Sequence, residues 1–484
     1  MIVRGVVVLV MAAAAAGCSS LAPRGLTAPA PVPEAPERPA QLSPPAPPDI
    51  PSPVIPEHLL EAGATFTLAD VVDIALRNNP VTRTAWLEAL AAAAELGSAR
   101  SAYYPRLDLS IDAIRTQQSA LGGQFDFLQT SYGPTVDLSW LVLDLGGRAA
   151  DAEDARLGLL AADWTHTATV QNVILGVQQT FVAYLNSKAQ LAAAHTNVAQ
   201  ARAALDAAEA RHDAGVATIA EVLQARTASS QAQLAVDRLS GEVLALRGSL
   251  ATAMGLPAST PYDVGSLPDD LPLELATSTV EELIEEARAA RPDLAAARLE
   301  AEQAAARIRS ARARGLPTLS LGASASRTYY DPATYADYGD SWSARLMLGV
   351  PLFTGFETRY STEKAKQDAA ASAARADTLE QQVILEVWTS YYGLKTATEL
   401  VATSRDLLAS AEQSERVAMG RYQEGVGTIL DLLAAQAALA DARAEEILAR
   451  SSWFYALAQL ARDIGVASPT LQSTVAVIGQ KDSP

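Results

Sequence analysis

The chain has 484 residues and is half apolar (49%), with only 6% aromatic residues, and 55 acidic against 37 basic side chains give a net charge of −18. That acidity argues against nucleic acid or an anionic membrane surface as partner, since both would repel it. Cys18 is the single cysteine, so no internal disulfide can form.

Residues 1–17 carry Arg4, then an apolar run from Val6, then Ala15, Ala16 and Gly17 ahead of Cys18. The run is far shorter than the roughly 20 residues a membrane-spanning helix needs, so a signal peptide is expected. Small residues before a cysteine resemble a bacterial lipoprotein signal, although Ala15 stands where such signals usually have Leu. Lipidation of Cys18 is the expectation, set against an ordinary secretory signal with a chance cysteine. Ser19, next in line, does not resemble the aspartate associated with inner-membrane retention. Residues 18–64 then hold a dense set of prolines between Pro23 and Pro56 and no sustained apolar pattern, which makes a semi-rigid tether rather than a core.

From residue 65 onward one plan is used twice. At an offset of 212, Thr67 and Asp70 match Thr279 and Glu282 as capping boxes, Pro80 matches Pro292, Ser98-Ala99-Arg100 matches Ser310-Ala311-Arg312, and Pro105 matches Pro317. The expected halves are 65–256 and 278–466. A linker, 257–277, contains Pro257, Pro261, Pro268 and Pro272, and 467–484 forms a C-terminal tail.

After Pro105 and Pro317 the apolar period changes to two. Leu107, Leu109, Ile111 and Ala113 alternate with Arg106, Asp108, Ser110 and Asp112; Val136, Leu138 and Trp140 form a second set. Leu319, Leu321, Ala323 and Ala325, then Trp342, Ala344, Leu346 and Leu348, repeat the arrangement. Four strands of about ten residues are expected, paired as hairpins across 117–133 and 329–340, with Gly122, Gly123, Tyr132, Tyr329, Tyr330, Tyr335 and Tyr338 in the loops. Such strands suit one face of a soluble sheet, or a transmembrane barrel that is apolar outside and polar inside. Four strands cannot close a barrel, so the second reading requires several chains. Trp140 and Trp342 then belong either to an interfacial girdle or to a core.

Proline-free runs from Arg148 to His212 and from Glu357 to Tyr422 predict helices of roughly 100 Å at 1.5 Å per residue. Each ends in a stretch that recurs 210 residues later, RHDAGVATIAEVLQA at 211–225 and RYQEGVGTILDLLAA at 421–435. Gly215 and Gly425 suit left-handed helix ends, and Thr218 with Glu221 and Thr428 with Asp431 open the return helices as capping boxes. Helix, sharp turn, helix is the unit.

Little in the chain supports catalysis. His58, His166, His195 and His212 lack metal-ligand spacing, and no phosphate loop or activated serine motif is present, so no enzyme, metal or cofactor is expected.

Two repeats of helix, hairpin, long helix, glycine turn and helix, with Gly-Val-x-Thr turns, the step Asp431-Leu432-Leu433 and a lipoprotein-like start, resemble the TolC family of outer-membrane factors. The resemblance covers nearly everything after residue 65. It implies an α+β membrane protein: a homotrimer whose twelve strands form one β-barrel in outer-membrane lipid, continued by an α-helical periplasmic tunnel. It also implies an exit duct fed by an inner-membrane pump through a periplasmic adaptor. Gly215, Val216, Thr218, Gly425, Val426 and Thr428 fall where the family's adaptor-contacting turns lie. Asp431 matches the first position of the family's acidic periplasmic gate, whose second position is Ala434 here; Glu221 is the other candidate. Both acids also complete capping boxes, and the glycines also allow the reversal, so each retains a purely structural reading. A periplasmic coiled-coil scaffolding lipoprotein is the competing expectation, and it leaves the four strands unexplained.

Overall fold

The computed structural model describes residues 65–120, 125–265, 271, 279–333 and 336–466. Cys18, the proline tether, Gly122, Gly123, Tyr335 and the tail lie outside the described residues.

Each half opens with two helices set apart by a proline. Helix α1 (Leu68–Asn78) is capped by Thr67, whose N–H donates to Asp70 at 2.9 Å. It stops where Pro80 begins α2 (Pro80–Ser101), because proline has no N–H to continue the ladder but fits a first turn. The second half repeats this in α5 (Val280–Ala290) and α6 (Pro292–Ala313), with Thr279 as cap. The long helices α3 (Gly147–Asp213) and α7 (Glu357–Gln423) have 67 residues each, and the return helices α4 (Ile219–Ala253) and α8 (Ile429–Asp463) have 35 each. Corresponding helices thus have equal lengths in the two halves.

Strands β2 (Arg106–Ala120), β3 (Phe125–Leu143), β5 (Thr318–Asp331) and β6 (Tyr338–Gly349) form one antiparallel sheet in that order. The sheet corrects the expected hairpins. The strands are 15, 19, 14 and 12 residues long rather than about ten, and pairing continues to Ala120 opposite Phe125 and to Tyr329 opposite Tyr338. Tyr132, Tyr329, Tyr330 and Tyr338 therefore stand on strands, not in loops. A two-residue parallel pair, β1 (Thr65–Phe66) with β4 (Asp263–Val264), ties the start of the first half to its end.

The largest cores lie midway along the long helices. Val71, Val72, Ile74 and Ala75 of α1 pack on Ile174, Val177, Phe181 and Leu185 of α3, on Leu250 of α4 and on Met254, which caps α4. Leu283 and Ala287 of α5 pack with Val383, Val387 and Leu394 of α7 and with Trp453, Leu457 and Leu460 of α8. Each buried Val, Leu or Ile contributes about 1.5–3 kcal/mol, which fixes the break between the short helices against the long ones. Elsewhere α3 turns a stripe of Ala194, Val198, Ala201, Ala204 and Ala208 to its neighbours, and side chains this small permit close antiparallel packing.

The helices form an open layer. Near the sheet the lateral order is α2, α3, α6, α7; near the turns it is α4, α3, α8, α7. One border carries β2, α2 and α4, and the other carries β6 and α7. Among the described residues β2 and β6 are the edges of the sheet, and the helical layer likewise ends at α2 and α4 on one side and at α7 on the other.

Candidate functional site: the helical turns and the sheet faces

At each turn the long helix ends in a double hydrogen bond around a left-handed glycine. Val216 N–H donates to the Arg211 carbonyl at 2.9 Å and Gly215 N–H to that of His212 at 2.8 Å, with Gly215 at φ +72°. Val426 and Gly425 repeat this on Arg421 and Tyr422, at 2.9 and 3.1 Å, with Gly425 at φ +75°. The return helices open as expected. Thr218 N–H donates to Glu221 Oε1 at 3.2 Å, Thr428 N–H to Asp431 Oδ2 at 3.3 Å, and Asp431 N–H to Thr428 Oγ1 at 3.2 Å. Val216 and Val426 are 64% and 69% exposed, so the turns present apolar side chains to the surroundings.

The two acids differ in setting. Asp431 is exposed, on the same open face of α8 as Ala434 and Ala437. Glu221 is half-buried and close enough to Tyr422 for its charge to act on the phenol. Tyr422 is fully buried, its hydroxyl has no hydrogen-bond partner, and burial first, then the Glu221 carboxylate, push its pKa up, while Arg211 opposes them. Arg211 lies 4.9 Å above the Tyr422 ring and donates from Nη1 to the Tyr422 carbonyl at 2.9 Å. Around them Ala204, Ala208, Val222, Ala225, Ile429 and Leu432 form a knot joining the two turns. Sequence reasoning missed this link. Its signal was a difference between the copies, His212 in one and Tyr422 in the other.

Directly above the knot, α4 and α8 part over α3 to leave a groove of about 700 Å³, lined with alanines and the amides of Asn197, Gln200, Gln224, Gln231 and Gln436.

The sheet separates its two faces over its middle rows, although Ile114, Leu141 and Met347 also stand on the side that is polar there. Cross-strand rows Leu109–Val136–Ala325–Trp342 and Leu107–Leu138–Ala323–Ala344 make one face apolar. Rows Ser110–Thr135–Ser326–Ser341 and Asp108–Asp137–Ser324–Ser343 make the other polar. On the apolar face the rings of Tyr132, Tyr329 and Tyr338 meet side by side at 5.5 and 6.1 Å. Beside them Arg327 and Asp340 form a two-bond ion pair at 2.6 and 2.8 Å. Trp342, 76% exposed, follows next along β6, while the Trp140 indole donates to the Tyr103 carbonyl near the other end of the sheet. Neither tryptophan packs in a core. Among the described residues no helix is long and apolar enough to cross a membrane, and no three His, Cys, Asp or Glu side chains gather to hold a metal ion.

A sheet apolar on one side and polar on the other, with a ring-and-ion-pair border and a helical layer of about 100 Å below it, has the make-up of one subunit of an outer-membrane channel. The comparisons with known proteins agree. A family model described as outer membrane efflux protein matches residues 71–256 and 283–466, and the chain belongs to that family. Protein CyaE of Bordetella pertussis is 28% identical over 384 residues, 79% of this chain and 80% of that protein. The pyoverdine export outer membrane protein OpmQ of Pseudomonas putida is 27% identical over 423 residues, 84% and 87% of the respective chains. A crystal structure of a membrane protein from Pseudomonas aeruginosa superposes with a TM-score of 0.74 at 25% identity, covering 83% of this chain and 91% of that one. The Campylobacter jejuni CmeC outer membrane channel, 18% identical, shares the fold at a TM-score of 0.73 over 85% and 89% of the two chains. The protein is thus an outer-membrane channel, the exit duct of an efflux system, and the scaffolding alternative is set aside.

Proposed function

We propose that three copies close the sheet into a twelve-stranded barrel and the helical layers into one tunnel, receiving solutes from an inner-membrane pump through a periplasmic adaptor docked at the turns. The observation that carries this reading is the pair of free edges on a four-stranded sheet. Two copies would supply eight strands, whose interior is only wide enough for side chains to fill, whereas three leave room for a lumen. Residues 65–256 and 278–466 serve as the two halves of each subunit, joined by 257–277 and followed by the tail 467–484. Val216, Thr218, Val426 and Thr428, with Gly215 and Gly425 shaping the reversal, form the adaptor-facing tip. Asp431 lines a gate, with Glu221 behind it. Residues 1–17 act as the signal peptide, and a lipid on Cys18 holds the tether 18–64 to the membrane. The protein transports and does not catalyse. Relatives named for pyoverdine export and for toluene efflux are both 27% identical to this chain, so similarity selects no cargo and specificity resides in the pump.

Native mass measurement of detergent-extracted protein tests the assembly: three chains are expected, and a dimer or monomer would sink the proposal. Because the strands themselves hold the protein in the bilayer, Cys18→Ser with an ordinary cleavage site is expected to yield the same membrane-inserted oligomer. A soluble monomer would contradict that.

A further inference from the structure

The junction between β6 and α7 is exposed and apolar to an unusual degree. Leu352 is 93% exposed, Phe353 75% and Phe356 56%, and the two phenylalanine rings meet edge to face at 5.4 Å. Leu352 extends a series already on the apolar face, Trp342, Leu346, Leu348 and Val350, all exposed and all at even positions of the strand and its continuation, and Phe353 and Phe356 follow it.

Phe356 also occupies a conformation that L side chains rarely adopt, φ +67°, next to Gly355 at φ +61°. The equivalent pair in the first half is Leu145 at φ +52° and Gly146 at φ +105°. Both junctions need two left-handed residues, and the first copy fills the second position with glycine. The second copy has its glycine at the first position and a large apolar side chain at the second, so each junction keeps one strained apolar residue, Leu145 or Phe356, and strain of this kind persists where a particular side chain is required. The first junction is also tied down by Arg148, which donates to the Leu141 and Val142 carbonyls at 2.5 and 3.0 Å, whereas the equivalent residue in the second is Thr358.

Distance along the strand says what covers these side chains. The Arg327–Asp340 pair and the tyrosine row mark the outer polar border, and Trp342 is the first apolar position inside it. Ten residues separate Trp342 from Leu352. β6 ends at Gly349, so at about 3.4 Å per residue and a tilt of about 45° that is at most roughly 24 Å of height, against an apolar band about 25 Å tall in outer-membrane barrels. Leu352 therefore falls within the hydrocarbon, toward its opposite edge.

We infer that Leu352, Phe353 and Phe356 insert into the periplasmic leaflet of the outer membrane, with Leu145 beside them, so that the sheet-to-helix junctions form a lipid-embedded collar under the barrel. This rests on the membrane-barrel reading and goes beyond it, because it assigns a non-strand segment to the lipid. The occupant is acyl chain rather than a second copy, since the patch continues the lipid-facing surface without a polar break.

The test attaches a nitroxide to Leu352→Cys, and separately to Phe353→Cys, in the full chain reconstituted in phosphatidylcholine vesicles. Leu109→Cys on the apolar face and Tyr360→Cys, one turn into α7, serve as controls, and unmutated protein reports any labelling of Cys18. Collision with oxygen and loss of collision with a water-soluble nickel chelate, as at Leu109, are expected at 352 and 353, with the reverse at 360. Chelate access at 352 and 353 with a lipid-like Leu109 would overturn the collar alone. Exclusion of both reagents there would mean burial between subunits and would overturn it as well. Chelate access at Leu109 would instead overturn the barrel reading beneath it.

Discussion

Among the described residues four glycines end helices in left-handed conformations, and their surroundings divide them into two kinds. At Gly255 and Gly465, φ +74° and +84°, a Cβ would lie 2.6 Å from the Asn78 carbonyl oxygen and 2.9 Å from the Ala290 carbonyl. At Gly215 nothing lies within 4 Å, and at Gly425 only the Arg211 guanidinium, at 3.5 Å. Alanine at the turns therefore adds little beyond left-handed strain of about 1 kcal/mol, while at 255 and 465 it also drives backbone into backbone. Gly215→Ala and Gly425→Ala are expected to leave oligomer yield near normal and Gly255→Ala and Gly465→Ala to lower it, as read on unheated gels; equal behaviour of all four would contradict the division. Arg291 is the other instructive residue. It is buried, bonded to Asp293 at 2.6 Å and to Glu386 at 2.5 Å, with Arg462 3.1 Å from Glu386. Burial works against both carboxylates, yet the bonds and charge of Arg291, with Arg462 behind them, hold both pKa values below the ordinary range. Acids depressed on folding contribute stability that is present above their unfolded pKa, about 4, and lost as pH falls through the folded value. Asp293→Val strips one partner from a buried cation, at a cost of about 3 kcal/mol. Arg291→Asn with Asp293→Val copies Asn79 and Val81 of the first half, where the Asn79 side chain accepts from Val81 N–H at 2.8 Å. The double variant is expected to melt above the single one and to lose less stability in acid; thermal melts at neutral and acid pH decide it.

The helical turn makes its own prediction as an element. Because the side chains of Val216 and Val426 are exposed and stand outside the buried cluster that joins the turns, Val216→Asp with Val426→Asp is expected to lower efflux and adaptor crosslinking severalfold while oligomer yield holds. A parallel loss of oligomer would mean that the turn serves folding alone. These turns were legible in the sequence because their chemistry is local: a glycine, then threonine, then an acid three residues on, at 215–221 and again at 425–431. Pro80 and Pro292 gave the helix breaks for the same reason. Strand ends were not legible. Thr116, Gln117, Gln118 and Ser119 are polar at every position, so the alternation vanishes outside the apolar band although the backbone ladder runs on to Ala120. The Arg211–Tyr422 link and the Arg291 network escaped because they join residues 211 and 95 positions apart, and no local period reports such contacts. Both fall where the two halves carry different residues, which is the trace that long-range contacts leave in a repeated sequence.

At the scale of the assembled molecule the question is whether Asp431 acts as a charge or only as a cap. Its backbone and side chain both engage Thr428, at 3.2 and 3.3 Å, a role worth about 1 kcal/mol that needs no channel. Yet a cap uses only part of a carboxylate, and the side chain is exposed on an open helix face, free to carry its charge toward an axis that three copies would share. Three carboxylates converging there would attract cations and bind multivalent ones, giving a narrow cation-selective entrance. Glu221 stands half-buried against Tyr422 and has less access to such an axis. Asp431→Asn separates the roles, because the amide oxygen still accepts from the Thr428 N–H while the charge is gone. In planar bilayers the variant is expected to lose cation selectivity and block by multivalent cations, and Glu221→Gln to change both much less. Unaltered conductance and block in Asp431→Asn would reduce the aspartate to a helix cap and leave the tunnel without an electrostatic gate at this end.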